Sequence, residues 1–175
     1  QEAGGLERLQ KAIIEAMNRI IEEAVGDAGY VREDVYAVSV VGNSCMHHLF
    51  LGLDPKHIAL APYVPVTGSP QDVDARTLGI QINPAGKVYV LPNIAGFVGA
   101  DTVGVVLATE MDQSSEIRLA IDIGTIGEMV LGTRDRLLAC STAAGPAFEG
   151  AQISCGMRGT RGAIDSVRLG EDIVY

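Results

Sequence analysis

Apolar residues in the first stretch of the chain recur at helical spacing. Leu6, Leu9, Ile13, Met17, Ile20, Ile21 and Ala24 fall on one face. Glu7/Lys11 and Glu15/Arg19 stand four apart on the other face, and Gly26 is a natural stop, so the pattern predicts an amphipathic helix over 6–25. The period then changes. "VYAVSVVG" (35–42) and "KVYVLPN" (87–93) are continuous and β-branched, and both read as buried strands. Between them, "NSCMHHLFLGL" (43–53) opens on Asn43, a good N-cap, and predicts a short helix. Residues 54 to 87 are rich in Pro, Gly and Asp and predict a long connection with little regular structure, of a kind that often covers a site. "FVGADTVGVVLATEM" (97–111) predicts a small-residue helix able to pack closely on a sheet.

After a linker at 112–116, the sequence predicts a meander of strands at about 117–123, 127–132 and 136–142, joined by "GTIG" and "TRDR". "AAGPAFEGAQISCGM" (143–157) predicts a helix starting just past Gly145-Pro146, where Pro suits a first turn. The tail reads as loop and then the start of a strand. The order is helix–strand–helix–strand–helix, then three strands and a helix. These are the back and front halves of a ribonuclease-H-like unit. The fold class is therefore α/β, with a mixed sheet of three meandering antiparallel strands plus two strands linked through helices. Strand 117–123 could pair with strand 35–42, in one chain or in a swapped dimer, closing one five-stranded sheet. The alternative keeps two lobes, each with an incomplete half-sheet.

Composition narrows the class. The chain has 175 residues, 47% hydrophobic but only 5% aromatic, with no Trp and 21 Gly, which suits close helix–sheet packing. No apolar run reaches the roughly 18 to 20 residues of a membrane span. The start lacks the hydrophobic region of a signal peptide, so a cytoplasmic protein is expected. A net charge of −9 argues against a nucleic-acid partner, since phosphate backbones are gripped by Lys and Arg. It is the ordinary surface of a soluble protein, or a docking face for a basic or redox partner. Cys45, Cys140 and Cys155 are odd in number and widely spaced, with neither a disulfide framework nor a CxxC pair. They read as buried small hydrophobes that cannot hold an iron–sulfur cluster alone.

The candidate chemistry centres on "LAIDIGTIGEMVLG" (119–132), a strand carrying Asp122 near its tip, a turn, and a returning strand. An ordinary two-residue hairpin would prefer Asn-Gly or Asp-Gly and has no need of that carboxylate. Gly124 and Gly127 let a phosphate approach the backbone and present N–H groups as an anion nest. Thr125 can add a hydroxyl, Asp122 can hold Mg²⁺ directly or through water, and Glu128 can serve the metal or orient a water. The competing reading is a tight turn with a surface Asp and a solvated Glu. In "AGPAFEG", Gly145 and the helix after it offer free N–H groups to an anion, and Glu149 either contacts nucleotide or metal or only stabilises the first turn. Asn43 reads as an N-cap. His47 and His48 project about 100° apart on a helix, so they are not a metal pair, though His47 could serve a lobe interface. Arg158 and Arg161 either meet phosphate or lie in a solvated loop.

Taken together, "VGNSCMHHLFLGLDP", "APYVP", "LPNIAGFVGAD", "AIDIGTIGE" and "AGPAFEGAQISCGMRGTRGAI" resemble the ATP-dependent reductive activators of corrinoid proteins. These are sugar-kinase/actin/chaperone-type ATPases that serve cobalamin-dependent methyl transfer. The resemblance runs from about residue 6 to the end. It implies an actin-like ATPase using ATP and Mg²⁺, with Asp122, Glu128 and Glu149 as catalytic residues and Asp122 as metal ligand. Gly124, Thr125, Ile126, Gly127, Gly145, Pro146, Gly150 and Asn43 are implied to bind the cofactor. Residues 1–111 would be the latter part of the first ATPase lobe, 112–116 a linker, and 117–175 the first part of the second lobe. The implied partners are a corrinoid protein or corrinoid methyltransferase, the rest of the parent chain, and a second copy in a homodimer. An iron–sulfur cluster is implied only for an N-terminal domain of the parent. Two features depart from the family pattern. Ile126 stands where the family has Asn (DIGTNGE), and the cluster domain, first phosphate hairpin and late adenosine loop are missing, as in an internal fragment. A catalytically incompetent structural fragment and a small-molecule kinase relative are the alternatives. Against the kinase, no Asp is placed as a general base for a substrate hydroxyl.

Overall fold

The computed structural model describes residues 4–124, 126–142, 161–162, 168–169 and 173–174. Helix α1 (Gly5–Asp27) follows the expected apolar stripe: Ile14 is buried, and Ile13, Met17 and Ile21 pack beside it. Its polar face pairs in the register between the two expected ones, Lys11 with Glu15 at 3.7 Å. Asn18 is buried on the packed side. Its Nδ2 donates to Gly79 O at 2.9 Å, and its Oδ1 accepts from Gln81 N–H at 2.8 Å, which pins the helix to the loop before the third strand.

Strand β1 (Ala37–Val40), helix α2 (Ser44–Leu51), strand β2 (Gln71–Asp74), helix α3 (Ala75–Leu78) and strand β3 (Lys87–Val90) build the first sheet, in the order β1-β3-β2. β1 and β3 are parallel, and β2 runs antiparallel to β3. The connection expected over 54–87 is therefore structured. "QDVD" is too short and polar to stand out as a strand, but Lys87 ties it across the ladder, 3.5 Å from Asp72 and 2.8 Å from Asp74. β1 is not the buried strand expected: it lies at the sheet edge, with Ala37 and Ser39 exposed. β3, in the middle, buries Val88 and Val90. These join Ile14, Phe50, Ala75, Ile80 and Ile82 in one core between the sheet and the helices.

Helix α4 (Ala100–Ala108) starts three residues later than the small-residue run, because Asn93 Oδ1 accepts the Ala100 N–H at 3.1 Å and Gly99 stays extended. Strands β4 (Arg118–Ile123), β5 (Gly127–Thr133) and β6 (Arg136–Thr142) form the predicted meander, with α4 packed against β4 and β5. A short ladder joins β7 (Arg168–Leu169) to β8 (Ile173–Val174).

The single mixed sheet does not form within the chain. Among the described residues β4 pairs only with β5, β1 only with β3, and no ladder joins 117–123 to 35–42. The turns after α4 explain this. Arg134 N–H donates to Ser114 O at 2.6 Å and Arg118 Nη1 to Thr109 O at 2.9 Å, holding the meander beside the end of α4 and away from β1. Among the described residues the fold is thus α/β with one mixed sheet, one three-stranded antiparallel sheet and the short β7–β8 ladder. The cysteines also depart from expectation, since Cys45 and Cys140 are exposed. Cys140 shares an uncovered sheet face with Leu138, two residues away. The helix expected over 143–157, and Cys155 with it, lies outside the described residues. No described helix is long and apolar enough to cross a membrane.

Candidate functional site

The hairpin between β4 and β5 closes with Gly124 N–H donating to Ile126 O at 3.0 Å. Ile123 pairs with Gly127 and Asp122 with Glu128, so the two carboxylates stand directly across the ladder on one face. Gly124 is not demanded by the turn: an added Cβ would meet only Ile126 O, at an ordinary 3.7 Å. What the glycine leaves is bare, exposed backbone at the tip, open to a ligand.

Glu128 is not the solvated residue of the competing reading. It is 7% exposed, and burial first, then Asp101, then Asp122, push its carboxyl above the usual carboxylate range. Asp101 was not singled out from the sequence. It occupies the first turn of α4, its N–H donates to Gly42 O at 3.2 Å, and its Oδ1 accepts from Thr102 N–H at 2.9 Å. The available signal was an acidic residue following "GFVG", a helix start that favours negative charge.

The start of α4 is welded to the β1–α2 corner. A Cβ on Gly99 would sit 2.7 Å from Asn43 Cα and 2.8 Å from Gly42 O, so only glycine permits the approach. Ser44 Oγ donates to Ala95 O at 3.0 Å across the same seam. Asn43 is the cap expected, its Oδ1 accepting from Met46 N–H at 2.9 Å. His48 is a satisfied core histidine. Its Nε2 accepts from Val66 N–H at 2.9 Å, so Nδ1 carries the proton and donates to Ser44 O at 2.7 Å. His47 is buried beside it with neither ring nitrogen hydrogen-bonded. Arg161 is exposed in a turn. Thr125, Gly145, Pro146, Glu149, Gly150 and Arg158 lie outside the described residues.

The donor set can be tested against the groups the hairpin calls to mind. Among the described residues, no set of three or more His, Cys, Asp and Glu side chains has the arrangement of a metal centre. Mg²⁺, however, keeps several waters and takes only one or two protein carboxylates. Asp122 and Glu128 fit that need, and a cation there would relieve the repulsion raising Glu128. Among the described residues no cysteine set gathers that could hold an iron–sulfur cluster, since Cys45 and Cys140 sit on separate units.

Residues 1–114 match the RACo middle region, and residues 116–174 match the C-terminal domain of RACo, the ASKHA domain. The chain belongs to the RACo family. The corrinoid activation enzyme RamQ of Eubacterium limosum is 42% identical over 162 residues, 93% of this chain and 27% of that protein. The [Co(II) methylated amine-specific corrinoid protein] reductase of Methanosarcina barkeri is 42% identical over 82 residues, 47% of this chain and 15% of that protein. A solved structure, of a reductive activator for corrinoid, iron-sulfur protein, superposes with a TM-score of 0.80 at 43% identity. That alignment covers 99% of this chain and 28% of the solved one. The chain therefore spans little more than a quarter of these RACo relatives at most. The ASKHA match implies an actin-like ATPase domain and hence ATP binding. The border between the two RACo regions falls at the turn between α4 and β4, where the two sheets also part.

Proposed function

We propose that this chain is the middle of a two-lobed ATPase whose nucleotide cycle drives the reductive activation of a corrinoid protein, or of a corrinoid methyltransferase, in methyl transfer. Residues 1–111 close the first lobe, 112–116 link, and 117–175 open the second. The observation that carries the reading is the hairpin itself: exposed glycine backbone at Gly124 beside Asp122, with Glu128 buried across from it, in a segment matching an ASKHA domain.

In this reading Asp122 holds Mg²⁺ at the strand tip, and the turn backbone from Gly124 to Gly127 receives phosphate. Bound Mg²⁺ supplies charge neutralisation on the phosphate oxygens. Glu128, across the ladder from Asp122, would orient water toward them in its ionised form. Ile126 offers no side-chain amide, so the turn binds through its backbone and Thr125. Glu149, with Gly145, Pro146 and Gly150, completes the anion side, and Asn43 fixes the seam between α2 and α4 that sets where Asp101 lies. No electron-transfer step is assigned to this chain. The reducing centre belongs to another domain of the parent, and a homodimer is compatible with the exposed β1 edge.

The test is ATP turnover of the intact two-lobed ATPase carrying Asp122→Ala. Loss of one preorganised electrostatic contact lowers turnover by roughly 100-fold or more, with the circular dichroism spectrum unchanged. Wild-type turnover in that variant would remove the hairpin assignment.

A further inference from the structure

The stretches "APYVP" (61–65) and "NIAGFVG" (93–99) meet on the surface of the first unit. Leu60, Tyr63, Val64, Val66, Ile94 and Phe97 are each 47–56% exposed there. The Tyr63 and Phe97 rings pack at 5.2 Å between centroids, tilted by 58°. Beside them a groove of about 320 Å³ runs between His57, Pro62, Val64, Pro65 and Val66.

This apolar rim is held in place. Tyr63 sits at φ +61°, a left-handed conformation that is unfavourable for a bulky side chain. Its N–H donates to Leu60 O at 2.7 Å. On the other side, a Cβ on Gly96 would stand 2.4 Å from Tyr63 O, so only glycine permits the approach. Further along, the Val66 N–H donates to Nε2 of the fully buried His48 at 2.9 Å. Buried contacts thus fix a strained loop whose apolar side chains face water. Strain that the surroundings maintain gathers at contact sites, and a contiguous exposed apolar patch marks a surface that meets a partner. A rigid aromatic rim also loses little freedom on binding.

Charge selects the partner. The chain has 22 Asp and Glu and a net charge of −9, yet residues 43–70 contain only Asp54 and residues 88–100 contain none. Asp54 is engaged locally, its Oδ1 accepting from Lys56 N–H at 2.9 Å. Lys56 and His57 follow it, so the rim is an apolar window with cationic and imidazole neighbours in an acidic surface. Toward α1 the window ends at Glu7, which shares a separate groove with Phe97. A partner bearing carboxylates is repelled by the rest of the chain and admitted here. Resting on the corrinoid-activator reading above, we propose that this window docks the corrinoid protein itself. The contact is made by aliphatic side chains of that partner, bordered by its carboxylates.

The test uses the intact activator and the purified corrinoid protein whose cobalt the wild-type activator reduces with ATP. Binding is measured by isothermal titration. Val64→Glu and Leu60→Glu each bind about tenfold more weakly or worse, because like charges then face one another in the contact. Val64→Lys, of similar reach and opposite charge, binds no more weakly than wild type. Ile20→Glu, 63% exposed on α1 and outside the window, binds as wild type does. ATP turnover without the corrinoid protein and the circular dichroism spectrum stay unchanged in all four variants. Wild-type affinity in both Val64→Glu and Leu60→Glu overturns the docking assignment. An equal loss in Val64→Lys overturns the carboxylate-bordered partner, and an equal loss in Ile20→Glu overturns the location. A wild-type activator that reduces no corrinoid protein removes the activator reading and this assignment together.

Discussion

Each of the two three-stranded sheets turns one face to a helix, but they sort their side chains in opposite ways. In the first, Val88 and Val90 of β3 point into the core with Ile14 and Phe50, and the charged residues Asp72 and Asp74 stay outside. In the meander, the face that includes the buried Glu128 and Val130 also carries Arg118, Ala120, Asp122 and Gly132, which are mostly small or polar. Its opposite face carries Leu119, Ile121, Ile123, Leu131 and Leu138, all exposed, with Ile123 at 82%. The first unit is organised by burial of apolar surface. The second is organised by ladder hydrogen bonds and places a carboxylate where a valine would have been cheaper. In the reading proposed above, that difference makes the meander the functional element and the first unit its support.

Phe50→Ala probes the supporting unit and should have the largest effect. Phe50 is 2% exposed in the core, and its truncation should cost about 3–5 kcal/mol in chemical denaturation. Leu119→Ala, on the open face of the meander, should change stability by no more than about 0.5 kcal/mol. Comparable losses for both would erase the contrast.

Glu128→Gln sharpens the same comparison through pH. Its raised folded pKa means that the folded state holds the proton more tightly than the unfolded one. Stability therefore falls as pH rises from the usual carboxylate range through the raised folded value. Gln removes that loss, so the variant should be flatter across this window and more stable above it by about 1 kcal/mol, the low end of the cost of a buried group without a partner. Asp74 of the first unit behaves oppositely. The hydrogen bond from Lys87 chiefly, and its charge, lower the Asp74 pKa, so that contribution is present above the unfolded value and lost as pH falls. Denaturation of Glu128→Gln between pH 4 and pH 8, in buffers where roughly 0.1 M salt screens exposed pairs, reads the slope. A slope unchanged from wild type would mean that Glu128 is ionised throughout.

The elements with a clear period were legible in the sequence: α1, the Asn43 cap and the three strands of the meander stand where the pattern puts them. β2 was not, because four residues alternating around one valine carry no hydrophobic signal and owe their place to Lys87 on the neighbouring strand. The edge position of β1 was hidden for a related reason, since a β-branched run says nothing about how many neighbours it has. At the site, Asp122, Gly124 and Glu128 were legible as a local motif. Asp101 lies 21 positions from Asp122 along the chain and meets Glu128 only because α4 packs on the meander. Local spacing cannot show a contact made by tertiary packing.

The smallest expected effect on stability comes from Ile121→Lys, and it asks whether the open face of the meander is open in solution. Ile121 is 56% exposed, with Leu119 and Ile123 on its own strand and Leu131 and Leu138 on the strands beside it, all pointing the same way. A contiguous apolar patch of this kind ordinarily marks a surface that meets something. A lysine there loses little burial, and its stem can lie along the neighbouring leucines while the ammonium stays in water. Unfolding free energy should therefore move by no more than about 0.5 kcal/mol. What should change is association: β4 is an edge strand among the described residues, and charge on an edge opposes pairing with another chain. Sedimentation velocity should show less self-association for the variant than for wild type at equal concentration. A loss of about 2 kcal/mol or more would instead mean that the side chain is packed, because a charge placed in an occupied apolar interface carries that order of cost. The meander would then be buried on both faces, like the central strand of the first sheet, and the contrast between the two units would disappear.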